Sequence, residues 1–209
     1  MPASLKTKNL KLKTKNSGFS LVEMLVVIGI FVILSSVLFA SYPLFGQKML
    51  LQNLAYQVAL EIRQAQVYGI SIKSSGGATP FPAYGVYFSS ADRSSFVLYA
   101  DSDGNRKYTS PETNCSLNAE CVEKVLISNG NTIKDICAVN LSGQTKCANT
   151  LDIDSLNVNF VRPDPDSVII GVLGGVNTTY QNATISVEPP SKSFFKSVKV
   201  WPTGQISVD

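Results

Sequence analysis

Residues 19–39 read FSLVEMLVVIGIFVILSSVLF, and Glu23 is the only strongly polar member of the run. An apolar stretch of this length suits a helix crossing a hydrocarbon core about 30 Å thick. Lys6, Lys8, Lys11, Lys13 and Lys15 precede it, and no comparable cluster follows at once. The positive-inside rule then predicts a cytoplasmic N-terminus, with everything beyond about Ala40 translocated. The five lysines also account for the basicity of the whole 209-residue chain: its formal charge is +3, and the part after the leader is slightly acidic. Global charge therefore does not mark a nucleic-acid-binding protein. The chain has no histidine, which excludes triads of the Ser-His-Asp or Cys-His kind.

A secretory signal would place small residues on the far side of a shorter apolar core. Here Ser17 and Gly18 stand before the run, so a cut at that point would leave the helix on the mature protein. The stretch K-N-S-G-F-S-L-V-E-M-L-V-V-I-G-I, residues 15–30, resembles the class III signal of type IV prepilins and pseudopilins. The resemblance implies a prepilin peptidase that cleaves after Gly18 and also acts as the N-methyltransferase of Phe19. It implies further partners: membrane lipid before assembly, an inner-membrane assembly platform, and other pilin or pseudopilin subunits. It assigns Glu23 to pairing with the terminal amine of a neighbouring subunit, a register role. Read from the residues alone, a carboxylate in hydrocarbon needs a cation, or it snorkels to the headgroups and means little.

Past the run, Pro43 and Gly46 are expected to kink or loosen the helix. Leu51, Leu54, Val58, Ile62, Ala65 and Tyr68 then recur at steps of three and four, the pattern of an amphipathic helix on a core. A helix from Phe19 to about Ile72 would be about 80 Å long, which fits a pilin spine. Beyond residues 74–77 (Ser-Ser-Gly-Gly) the period turns alternating, with candidate strands at 84–89, 95–100, 124–128, 133–139, 153–161, 167–172, 183–187, 197–201 and 205–208. Strands in succession imply antiparallel sheet, hence an α+β fold in which the helix covers one sheet face. The organisation read from the chain is a cleaved leader (1–18), a membrane or filament-core helix (19–42), its amphipathic continuation (43–75) and an extracytoplasmic β-rich headpiece (76–209). The first hairpin, residues 84–88 with 96–105, and the closing one, 198–208, resemble the GspH/FimT group of minor pseudopilins and minor pilins. That resemblance implies a minor subunit of a type IV pilus or a type II secretion pseudopilus. The long 108–124 and 135–151 segments and the four cysteines depart from it.

Cys115, Cys121, Cys137 and Cys147 lie at spacings foreign to zinc ribbons. An exported domain favours disulfides, and the sequential pairing closes the shortest loops; free thiols or a metal site remain the other reading. Asp101, Asp103 and Asn105 alternate, with Glu112 eleven residues after Asp101, partly echoing a calcium loop. Gly104 stands at the fourth position and Arg106 at the sixth, so a tight turn serves the same residues and calcium is the alternative. Lys192, Lys196 and Lys199 accompany Phe194, Phe195 and Trp201 near the C-terminus. They could meet DNA, making a DNA-binding minor pilin of a competence pilus the alternative function, although lysines on strands are usually solvated. No paired carboxylates outside the Asp101 turn and no phosphate-binding glycine loop support an enzyme.

Overall fold

The computed structural model describes residues 18–71, 81–109, 115 and 120–209, with the backbone alone for 40–44. The leader lysines, residues 74–77 and Glu112 lie outside the described residues. One helix, α1, runs uninterrupted from Leu21 to Ile70. The chain divides into two compact units at Pro43/Leu44, so the boundary falls on the proline expected to perturb the helix, although the helical backbone passes through both it and Gly46.

The second unit, Leu44–Asp209, begins with the amphipathic part of α1. Leu51, Leu54, Ala55, Val58, Ile62 and Ala65 are buried and Tyr68 is partly so, which is the predicted stripe with Ala55 added. Among the described residues eleven strands follow: β1 (Ala83–Ser89), β2 (Ser95–Asp101), β3 (Cys121–Leu126), β4 (Thr132–Val139), β5 (Thr145–Cys147), β6 (Ser155–Phe160), β7 (Ser167–Leu173), β8 (Val176–Tyr180), β9 (Asn182–Glu188), β10 (Lys196–Val200) and β11 (Ile206–Val208). They form not one sheet but two, ordered β3-β2-β1-β6-β7-β8 and β11-β10-β9-β4-β5, and every pairing is antiparallel. The chain leaves the first sheet after β3, pairs β4 with β5, returns for β6 to β8, and ends in the second sheet. The alternating residues of both sheets, among them Val86, Phe88, Leu98, Val158, Ile185 and Val198, join the helix stripe in one core. Each such fully buried side chain contributes roughly 1.5–3 kcal/mol.

Polar contacts fix the helix against the strands' ends. Gln66 donates its amide to the carbonyls of Pro165 (2.9 Å) and Gly204 (3.2 Å). Tyr68 meets Tyr84 edge-on, ring centroids 5.4 Å apart. Gly69 lies so close to the Phe160 backbone that a methyl group there would collide with it. Two disulfides complete the unit, Cys115–Cys121 and Cys137–Cys147, which is the sequential pairing. The second joins directly opposed residues of β4 and β5.

The β1–β2 turn holds a carboxylate whose protonation state matters for stability. Asp92 accepts bonds from Ser94 N–H (3.0 Å), Ser94 Oγ (2.7 Å) and Ser95 Oγ (2.6 Å), and pairs with Lys124 at 3.4 Å. Burial alone would raise its pKa, but these hydrogen bonds and the ammonium outweigh that and hold it at about 2. Because the folded value lies below the unfolded one, the stabilisation is complete above about pH 4 and is lost as pH falls toward about 2. Asp92→Asn is expected to cost about 1 kcal/mol at pH 7, a modest figure because the side chain is partly exposed. Urea unfolding at pH 7 and pH 2.5 checks this, since the gap between wild type and variant should narrow at the lower pH.

Candidate functional site

The apolar segment opens with the pattern Ser20-Leu21-Val22-Glu23, in which Ser20 precedes the first helical residue and Glu23 stands in the first turn. Met24 N–H donates to the Ser20 carbonyl at 3.1 Å. A carboxylate in a helix's first turn is favoured by the macrodipole, so Glu23 sits where its charge costs the helix least. Gly18 and Phe19 precede the helix as exposed, non-helical residues. From Leu21 to Phe39 the helix is long and apolar enough to cross a membrane, and none of that span is buried within the chain. Phe19, Leu38 and Phe39 are each more than 70 % exposed. A soluble monomer does not leave a face of this size in water; lipid or other helices must cover it.

The second cluster lies on the face of the first sheet away from the core. There β2 and β6 are buried on both sides, because the chain from Ser102 to Thr109 folds back over them. Tyr99 donates its hydroxyl to Asn159 Oδ1 (2.6 Å) and lies 3.3 Å from Asn157 Oδ1. Asn159 donates to the Arg106 carbonyl (2.7 Å), and Tyr108 N–H donates to Asn157 (3.0 Å). Gly85 provides the room, since a Cβ there would meet Asn159 Oδ1. Burial raises the Tyr99 hydroxyl well above its ordinary value, with the Asp101 carboxylate adding to the effect.

At the edge of this layer Asp101, Asp103 and Glu120 bring carboxylate oxygens within 4.8 Å of one another. Asp101 is 3 % exposed and Glu120 is also buried, whereas Asp103 faces solvent. Asp101 Oδ2 accepts from Arg106 N–H at 3.0 Å, while its Oδ1 has no hydrogen-bond partner. Burial pushes the Asp101 carboxyl up to about 6 despite that N–H, and its close side-chain contact with the Asp103 carboxyl, together with the Asp103 and Glu120 charges, pushes the same way. Burial likewise raises Glu120, against the N–H of Thr109.

Of the residues read as a calcium loop, Asp101 and Asp103 come together. Asn105 instead turns its amide to Asp103 Oδ2 (2.6 Å) and its oxygen to Lys107 N–H (2.8 Å), so it acts as a turn residue. Glu120, which carries no signal in its spacing, takes the third place. Its position follows from strand pairing: Ala100 N–H donates to the Glu120 carbonyl at 2.8 Å, continuing the β2–β3 ladder.

Of the C-terminal lysines, Lys199 has a side-chain partner within the chain, and the three aromatics pack there too. Lys199 Nζ lies 3.9 Å from the Trp201 ring centroid, Lys134 Nζ is 3.9 Å from that of Phe195, and Phe194 packs on the core.

A family model described as the prokaryotic N-terminal methylation motif matches residues 13–39. Its span takes in the end of the leader, Gly18, Phe19, Glu23 and the apolar helix. The chain thus carries the class III signal of type IV pilin-like proteins, the kind of subunit that prepilin peptidase processes and that assembles with other pilins. Neither a curated protein nor a solved structure matches the chain.

Proposed function

We propose that the chain is a minor structural subunit of a type IV pilus or a type II secretion pseudopilus, cleaved after Gly18, methylated at Phe19, and assembled through α1. The observation that carries this reading is the wholly unburied apolar span Leu21–Phe39 of α1, which lies within the matched signal, directly after Gly18 and Phe19 at its start. Before assembly, lipid covers the helix; in the filament, equivalent helices do. Transfer between the two is close to neutral for apolar side chains, because lipid tails are as apolar as leucine. Glu23 then sets the register by pairing with a neighbour's terminal amine, since an ionised group inside an apolar bundle is costly unless matched. The basic leader keeps the N-terminus cytoplasmic and the strands outside, where both disulfides are stable. The minor role rests on the order of the first and last hairpins.

Co-expression with a prepilin peptidase tests the reading by intact mass and N-terminal sequencing. A mature chain beginning at N-methylated Phe19 is expected. A full-length product, or a cut beyond residue 40, would show that the helix is an ordinary anchor or export signal.

A further inference from the structure

We propose that Asp101, Asp103 and Glu120 bind one calcium ion, which ties the end of β2 to the start of β3. Oxygens that share a calcium ion at about 2.3–2.6 Å stand no more than about 5 Å apart, and these three carboxylates already meet that limit at 4.8 Å. Close approach of three acids is not enough by itself, because acidic turns are common on protein surfaces. What distinguishes this group is Asp101: the residue is 97 % buried, taking its 3 % exposure as the remainder, and Oδ1 has no hydrogen-bond partner. Buried polar atoms are ordinarily satisfied; Oδ1 has no donor, and the Asp101 carboxyl's contact within the cluster is with the Asp103 carboxyl, two acceptors that one cation between them would satisfy. Among the described residues no lysine or arginine forms an ion pair with Asp101 or Asp103.

The donor set selects the metal. All three ligands are hard oxygens, the chain has no histidine, and the nearest cysteines, Cys115 and Cys121, are joined to each other. Calcium accepts six to eight oxygens in adaptable geometry, whereas magnesium demands a near-ideal octahedron. Backbone carbonyls and water complete such a shell. Exposed Asp103 gives the ion its entry.

The test uses the full chain in detergent micelles, with calcium chloride alone as titrant, followed by calorimetry and by thermal unfolding. One ion per chain is expected, with a Kd on the order of 10⁻⁴–10⁻³ M as in extracellular calcium modules, together with a Tm that rises and saturates over the same range. Glu120→Gln and Asp103→Asn are each expected to weaken binding at least about tenfold and to remove the Tm shift. Asp103 is exposed, so its variant decides the matter should Glu120→Gln fail to fold. The proposal is overturned by absence of heat and Tm change up to about 10 mM calcium, by variants that bind like wild type, or by magnesium binding equally well. Because the readout is confined to the Leu44–Asp209 unit, it stands or falls apart from the processing of residue 18.

Discussion

Gly18→Leu is expected to stop maturation, leaving the chain at full length with an unmethylated N-terminus. A Cβ at Gly18 meets nothing within 4 Å, and the residue is exposed and outside the helix, so leucine does not disturb the chain's own fold. Any effect must arise where a peptidase holds the scissile peptide, on the carbonyl side of which residue 18 stands. A loss of at least about 100-fold in cleavage rate, about 2.7 kcal/mol in the barrier, is expected if the cleft excludes a branched side chain. A second effect follows. Entry of α1 into a filament would draw the uncleaved leader and its lysines toward the bilayer, at about 2.5–3.5 kcal/mol for each charge at mid-depth, so the precursor should stay in the membrane fraction. Glu23→Val serves as the contrast: it leaves residue 18 intact and makes the helix more apolar, so it should be cleaved normally yet assemble poorly. N-terminal sequencing and a sheared-filament fraction separate the two variants. Wild-type processing of the leucine variant would refute the signal reading, whatever the filaments look like.

The parts of this molecule legible from residue order are those set by local periodicity. The apolar run and the stripe from Leu51 to Tyr68 announce one helix, because burial repeats every three to four residues. Nine strands show through as alternation. β8 does not: in Val-Asn-Thr-Thr-Tyr only Tyr180 is buried, so there is no inner and outer face to read. β5 is three residues long and owes its place to pairing with β4 across the disulfide. The division into two sheets was hidden for another reason. It depends on β1 choosing β6 and β4 choosing β9, and such distant pairings leave no mark in a short window.

The acidic cluster divides in the same way. Asp101 and Asp103 are neighbours in sequence, whereas Glu120 reaches them only through the β2–β3 ladder, behind a segment with no recognisable spacing. Asn157 and Asn159 carry no signal of their burial in residue order. Polar side chains on an alternating strand ordinarily face solvent, but Tyr99 and the Arg106–Tyr108 backbone cover these two. The outer face of the first sheet is polar because it is covered by backbone in need of partners.

Gly204→Ala is expected to be the most damaging single-atom-scale change in the Leu44–Asp209 unit. Gly204 ends the β10–β11 turn at φ 74°, donating its N–H to the Trp201 carbonyl at 2.9 Å. A methyl group there would run into the Pro165 carbonyl and the Gln66 amide nitrogen, the same two groups that fasten α1 to the strands' ends. Three costs combine: about 1–2 kcal/mol for a left-handed backbone, about 1–3 kcal/mol for overpacking, and about 1 kcal/mol for each Gln66 bond displaced. With partial relaxation the expected loss is about 3–5 kcal/mol, enough to unfold a marginal domain. Gly143→Ala isolates the backbone contribution, because Gly143 has nearly the same φ, 80°, with nothing within 4 Å of a Cβ. Urea unfolding followed by Trp201 fluorescence should show about 1–2 kcal/mol lost at 143 and at least twice that at 204. Equal losses at the two sites would mean that the Gln66 clamp contributes nothing, and that apolar burial along Leu51–Ala65 alone holds the helix to the sheets.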